Sequence, residues 1–435
     1  MDFKEYSSYK DSGVEWIGKI PSHWFVKRFG YVFRENKIKN SGLIETNVLS
    51  LSYGRIKEKN IEDNKGLLPE SFETYQIIQP NDIIFRFTDL QNDKRSLRSA
   101  ISKFHGIITS AYIGVRTTAN AEFYNYLFRA YDQQKVFYSM GDGMRQTLKI
   151  DELNRMPIVF PSEVEQQQIV SFLDSETSRI DNLIAKQEKL IETLEEHRDT
   201  LTAHTIEKGI NPDIKMINSG VEWLGEVPEN WKIGRLKNFA KVNPTIKKFS
   251  LDADELVGFI PMSNVDDKKG VIASIDYRKF GEVSTGYTAF NTADVVFAKI
   301  TPCMENGNCA IIPELKHGFG YGTTEFIVFR PTKAIKTEFL YFLLRSKKLR
   351  DICTAFMTGT AGQQRISSDF LANYPLALPD LKEQQEIIYF LHEKNQKIDN
   401  LIYKQKNLIL KLKEYRTSII SHAVTGKIDV RDFVA

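Results

Sequence analysis

Cysteine is scarce. Three thiols in 435 residues cannot form a disulfide framework, which excludes the small stapled secreted class and fits a reducing compartment. No apolar run reaches the roughly 18 residues of a membrane span, so none is expected. The opening residues, MDFKEYSSYKDSG, lack the basic-then-apolar order of a secretion signal, and a cytoplasmic chain is expected. Low-complexity tracts are absent too, and 42% hydrophobic with 26% charged residues is an ordinary globular balance. The length leaves room for two or three domains. A net charge of +3 neither demands nor excludes nucleic acid.

Catalytic signatures are missing as well. There is no GxxxxGK[ST] loop to cradle a nucleotide's phosphates, and no [DNS]PP[YFW] tetrapeptide of an adenine methyltransferase. GFGYG (Gly318 to Gly322) is a lone glycine-rich string. TTEFIVFR follows it, so it reads as a turn entering a strand and not as a dinucleotide or S-adenosylmethionine pocket. Asp294 with Glu314 and Lys316 mimics a nuclease's D…ExK arrangement, but Pro313 and Gly318 frame the latter pair as a loop. Cys303, Cys309, His317 and Cys353 contain no CxxC pair and read as buried or surface side chains, not as zinc ligands. His23, His105, His197, His204 and His392 show no partner pattern. No catalytic residue, bound cofactor or metal is expected.

What is present is a duplication. DSGVEWIGKIPSHW (Asp11 to Trp24) recurs as NSGVEWLGEVPENW (Asn218 to Trp231), offset by 207. Pro161 to Gly209 recurs as Pro379 to Lys427, offset by 218, with 20 identities in 49 aligned pairs. The extra 11 residues between landmarks in the second copy are added loop length. The period far exceeds that of a solenoid, so each copy is a domain followed by a helix. Between the landmarks only an outline persists. NDIIFRFTD (Asn81 to Asp89) matches ADVVFAKIT (Ala293 to Thr301), and ITSAYIGVR (Ile108 to Arg116) matches GTTEFIVFR (Gly322 to Arg330). EFYNYLFRA (Glu122 to Ala130) matches EFLYFLLRS (Glu338 to Ser346) as a short amphipathic helix. The expectation is an α+β chain: two strand-rich mixed globules at 1–160 and 210–378, helices at 161–209 and 379–427, and a tail at 428–435.

From about Glu163 to Ile206 there is no Pro or Gly, and apolar residues fall at helical spacing. Leu173, Ile180, Leu194 and Leu201 form a coiled-coil seam, repeated as Leu391, Ile398, Leu412 and Ile419. Gln187 and Gln405 interrupt both seams at the same step, where a buried amide pair would fix register. About 44 residues at 1.5 Å each make a rod of roughly 65 Å. The first rod segment carries a net −6 and the second +3, which favours pairing with each other over self-pairing. Without the rods, the globular segments carry +4 and +3, mildly basic as nucleic-acid readers are.

These motifs resemble the specificity (S, or HsdS) subunits of type I restriction-modification enzymes. The resemblance is carried by GVEW[IL]GxxP followed by Trp24 and Trp231, and by PxxxEQQxI with its IDNLIxKQ continuation, from about Asp11 to Lys427. It implies two target recognition domains, each reading half of a split, asymmetric double-stranded DNA site. The helices would pair as an antiparallel coiled coil in an internal pseudo-two-fold repeat, setting the spacer and docking partners. Those partners would be two methyltransferase subunits using S-adenosylmethionine and two motor-nuclease subunits using ATP and Mg2+. This chain would bind DNA and catalyse nothing.

Base reading needs polar and basic side chains on exposed loops. Such residues gather in Arg86–Arg98 and Gly141–Lys149 of the first copy, and in Lys299–Asn308 and Thr358–Arg365 of the second. The base-reading candidates are Arg86, Lys94, Arg95, Arg98, Lys299, Asn306 and Asn308. The phosphate candidates are Arg145, Lys149, Gln363 and Arg365. Gln146 and Gln364 hold one shared position and so suit a scaffold role. Trp16, Trp24, Trp223 and Trp231 are expected to pack the opening motif onto each globule, and His204 and His422 to sit near the helix ends. Two other readings stay open: a protein-binding coiled-coil adaptor without DNA specificity, and a stand-alone nuclease or methyltransferase.

Overall fold

The computed structural model describes residues 3–60, 69, 71–88, 97–138, 140, 147–222, 224–246, 251–360 and 362–433. The chain divides into two compact units: Met1–Gln187 with Lys406–Ala435, and Glu188–Gln405. The divisions fall just after Gln187 and Gln405, the polar steps of the two seams, and both glutamines are half-buried.

In unit 1 a four-stranded antiparallel sheet is built from β1 (Phe33–Glu35), β2 (Ile83–Phe85), β3 (Ser99–Ile101) and β4 (Ile113–Thr117), in the order β1-β4-β2-β3. The amphipathic helix α1 (Ala121–Gln133) covers one face, capped where Asn120 Oδ1 accepts the Phe123 N–H at 3.0 Å. The rod α2 (Glu163–Lys208) begins in this unit. Strands alternate their side chains between faces, and here both faces are covered. Ile83 and Phe85 of β2 pack with Phe123, Leu127 and Phe128 of α1. Ile84, between them, packs with Leu49, Leu51, Ile56 and Ile108 of a second layer. That layer pairs Arg55–Glu58 with Leu49–Ser52, and Gly106–Ile108 with Gln76–Ile78, the halves joined by a parallel bridge from Val48 to Ile107.

Unit 2 repeats this plan with β5 (Ala240–Val242), β6 (Val295–Ala298), β7 (Cys309–Ile311) and β8 (Phe326–Pro331), in the order β5-β8-β6-β7. The helix α3 (Thr337–Arg345) covers one face, and the rod α4 (Leu381–Val424) begins in this unit. Val295 and Phe297 face Phe339 and Leu340 of α3, while Val296 faces Ile260 and Phe290 of the second layer. In that layer Asp276–Lys279, Leu256–Ile260, Phe319–Gly322 and Thr288–Asn291 form one sheet with a single parallel pair. The GFGYG string therefore supplies a turn and an inner strand.

Each unit contains the opening part of one rod and the closing part of the other, running antiparallel. In unit 1 Arg416 of α4 grips Asp181 of α2 at 2.9 and 3.1 Å. In unit 2 Arg198 of α2 meets Asp399 of α4 at 2.9 Å. Arg198 and Arg416 are 218 apart, as are Asp181 and Asp399, so the two ion pairs are related by the repeat. Leu173, Ile180, Leu391, Ile398 and Ile419 of the seam are buried, as are Ile402 and Ile409. Leu194, Leu201 and Leu412 are half-buried. Leu173 and Leu391 also belong to the globular cores, so each rod is rooted in its domain.

Candidate nucleic-acid interface

The duplicated motifs meet each other. Ser162 and Asp380 cap the rods, accepting the N–H of Glu165 at 3.3 Å and of Glu383 at 2.8 Å. The Glu165 carboxylate accepts the indole N–H of the fully buried Trp24 at 3.0 Å. Glu383 accepts that of Trp231, also at 3.0 Å. Beside them the buried Gln166 and Gln384 donate to the carbonyls of Pro161 and Pro379, each at 2.9 Å, and accept the N–H groups of Asn120 and Lys336. The EQQ motif thus bolts the opening motif and the start of α1 or α3 onto the rod. Trp16 is half-buried against the core, and Trp223 lies outside the described residues.

A second repeated bond locks the central sheet. Arg116 forks onto Asp82 at 2.8 and 3.1 Å, and Arg330 onto Asp294 at 2.8 and 2.7 Å. Asp294, one arm of the D…ExK mimic, is therefore engaged by a neighbouring strand, and Lys316 pairs with Glu255 at 2.9 Å. Among the described residues no group of three or more His, Cys, Asp or Glu is placed to hold a metal ion. Cys309 and Cys353 are buried, which pushes each thiol up to about 12. His23 sits 3.0 Å from Glu165 and His105 2.9 Å from Glu45, partners that sequence spacing does not reveal.

In unit 2 the structure brings both candidate stretches together. Thr301 N–H donates to Gln364 O at 3.0 Å, Ile366 N–H to Lys299 O at 2.9 Å, and Gln364 N–H to Thr301 Oγ1 at 3.1 Å. Gln364 thus contributes its backbone to the scaffold. Lys299 is half-buried at this seam, while Asn306 and Gln363 are exposed on either side of it. Arg365 forks onto Glu325, with Nη2 at 2.7 Å and Nε at 3.0 Å, and this bond holds the glutamate's carboxyl below the usual range. A phosphate approaching Arg365 would compete with that carboxylate. Asn308 requires correction: it is buried, and its amide donates to Val265 O at 2.7 Å, satisfying a neighbouring hairpin instead of facing solvent.

In unit 1 Arg86 is half-buried, and its N–H donates to Arg98 O at 2.8 Å, extending the β2–β3 ladder. Arg98 also requires correction. It is fully buried, donating from Nη1 to Thr88 O at 3.1 Å and from Nε to the Tyr138 hydroxyl at 3.3 Å. Its N–H donates to Asp132, whose carboxyl is raised by burial. A guanidinium whose donors face protein acceptors inside the domain shapes the loop and does not read a base edge. Lys149 is exposed just before the helix Ile150–Arg155. Lys94, Arg95, Arg145 and Gln146 lie outside the described residues. The described part of unit 1 thus presents Arg86 and Lys149, and unit 2 presents Lys299, Asn306, Gln363 and a paired Arg365. Their polar groups suit hydrogen bonding to phosphates and base edges.

No helix among the described residues is long and apolar enough to cross a membrane. Residues 228–411 match the family model for the type I restriction modification DNA specificity domain. The chain is 35% identical over 164 residues to the EcoEI specificity subunit of Escherichia coli. That alignment covers 38% of this chain and only 27% of the relative. It is 23% identical over 428 residues to the MjaVIII specificity subunit of Methanocaldococcus jannaschii, covering 95% of each chain. Its fold matches the HsdS subunit of Thermoanaerobacter tengcongensis at a TM-score of 0.55 with 16% identity, over 94% of this chain and 98% of that one. Motifs, fold and relatives agree: the chain resembles the specificity subunits of type I restriction-modification enzymes along nearly its whole length, and its residues 228–411 match the model of the DNA specificity domain.

Proposed function

We propose that this chain is the DNA-specificity subunit of a type I restriction-modification complex. Each globule reads one half of a bipartite, asymmetric double-stranded DNA site, and the paired helices set the spacer and dock the methyltransferase subunits. The chain recognises and does not catalyse. Methylation with S-adenosylmethionine belongs to two methyltransferase subunits, and ATP- and Mg2+-dependent translocation and cleavage to two motor-nuclease subunits.

The observation that carries this reading is the division of labour within the repeat. Sheet order, the Trp–Glu bolt, the Asp–Arg fork and the rod ion pairs recur in both units. The loops beside them do not: RFTDLQNDKRSLR stands where the other unit has KITPCMENGN. A shared scaffold under different loops is what two different half-sites require. The direct test is binding by the chain co-assembled with its cognate methyltransferase subunits, measured against a panel of duplexes at several salt concentrations. A sequence-specific, salt-sensitive complex is expected. Assembly with no dependence on DNA sequence would establish the adaptor reading instead, and turnover by the purified chain alone would establish a stand-alone enzyme.

A further inference from the structure

Two hairpins outside all of the candidate stretches occupy matching places in the units. In unit 1 Leu49–Ser52 and Arg55–Glu58 are joined by Tyr53 and Gly54. In unit 2 Val265–Asp266 and Val271–Ile272 are joined by residues 267–270. Each hairpin packs beside the strand that follows a candidate stretch, β3 in unit 1 and β7 in unit 2.

Under each turn lies an arginine from the same step of the amphipathic helix, Arg129 of α1 and Arg345 of α3. Arg129 Nη2 donates to Gly54 O at 2.7 Å and to Ser99 O at 3.2 Å, tying the turn to β3. Arg345 Nη2 donates to Asp267 O at 2.6 Å and to Lys268 O, and its Nη1 lies 3.3 Å from the Tyr341 hydroxyl. Gly54 and Gly270 have φ of +70° and +67°. A Cβ would stand 2.0 Å from Arg129 Nη1 in one case and 1.3 Å from Arg345 Nη1 in the other. Backbone conformation and room both require glycine there. The planar guanidinium presents its donors in one rigid geometry over both acceptors, which a flexible lysine ammonium of different reach would not reproduce, so lysine is not equivalent.

The clamp is shared, but what it presents is not. Tyr53 is 85% exposed, with Arg55 and Lys57 exposed beside it. The unit 2 turn offers exposed Lys268 and Lys269, their N–H groups fixed on Asp266 Oδ1 at 2.9 and 2.8 Å. Both tips expose basic side chains, Arg55 and Lys57 in one and Lys268 and Lys269 beside Asp266 and Asp267 in the other, and they differ in sequence, the same split of scaffold and reader found in the rest of each unit.

We propose that these two tips contact DNA phosphates beside each half-site, and that Arg129 and Arg345 are positioning residues that hold them. The inference rests on the DNA-reading assignment above. The test uses the full chain assembled with its methyltransferase subunits and a duplex carrying the motif that the complex methylates. Replacing Arg55 and Lys57 together by Ala should weaken binding on the order of 10-fold and reduce the slope of log affinity against log salt by about two. Lys268→Ala with Lys269→Ala should do the same from unit 2. Arg129→Lys should lower discrimination at one half-site and leave the other read as before, a pattern that general loosening of the fold would not give. If that variant fails to fold, Arg345→Lys provides the same measurement in unit 2. Wild-type affinity and slope in both double variants would overturn the phosphate contacts. Unchanged half-site discrimination in the lysine variants would overturn the positioning role. A wild-type complex without sequence preference would sink the parent assignment and the tips with it, and is told apart because it fails before any substitution.

Discussion

Glu165 stands where three parts of unit 1 meet: the Trp24 indole, the His23 ring and the capped start of α2. Removing its carboxylate leaves a fully buried N–H without that acceptor, a loss of about 1–3 kcal/mol. Glu165→Ala should therefore lower the unfolding free energy of unit 1 by that amount, read as a lower urea midpoint at unchanged slope, and an unchanged midpoint would refute the bolt. Much of this was visible beforehand, since the Trp and EQQ motifs are the best-preserved landmarks of the duplication. That they touch was not, because two motifs 141 residues apart carry no sign of proximity. Arg98 and Asn308 were misread for a related reason. Residue type and loop position announce a donor, but whether it faces water or a buried acceptor depends on tertiary neighbours such as Tyr138 and Val265.

At the scale of elements, the rods were the most legible part. Heptad spacing alone located Leu173, Ile180, Leu391, Ile398 and Ile419, all buried. Spacing could not grade them, because depth depends on what packs beside each turn. Leu173 belongs to the unit 1 core and is 0% exposed, whereas Leu194 is half-buried. Leu173→Ala should cost about 2–5 kcal/mol, as expected for emptying a core site. Leu194→Ala should cost clearly less, and equal losses in denaturant titration would contradict this gradient. The repeated Arg–Asp pairs are partly exposed, with side chains 26% and 62% exposed for Arg198 and Asp399. Such pairs add about 0–1 kcal/mol each, so they specify antiparallel register more than they stabilise it. The small hairpins behind the clamps had no strong pattern; their only signal was a glycine among basic residues.

At the scale of the molecule, the repeat closes on itself within each unit. In unit 2 the hairpin Met216–Asn218 with Glu226–Pro228 follows α2, and Lys208 donates to Glu226 O. In unit 1 the matching hairpin Tyr9–Asp11 with Lys19–Pro21 meets the end of α4, and Lys427 donates to Lys19 O and to Ile17 O. Asp429 N–H then donates to Lys4 O at 2.8 Å, and Phe433 packs on Phe172. The same joint is thus made once through the continuous chain and once through its two end segments. If the rods set the spacer, inserting one heptad into both should lengthen the spacer tolerated in the DNA and leave the half-sites unchanged. Altered half-sites would refute that role.

The proposed separation of scaffold from reader within each copy makes the reader exchangeable. It is tested most directly by replacing residues 210–378 with the corresponding segment of a divergent relative and mapping the methylated motif of the assembled complex. One half-site is expected to change while the other half-site and the spacer stay as they were. A change in both halves, or in neither, would contradict it.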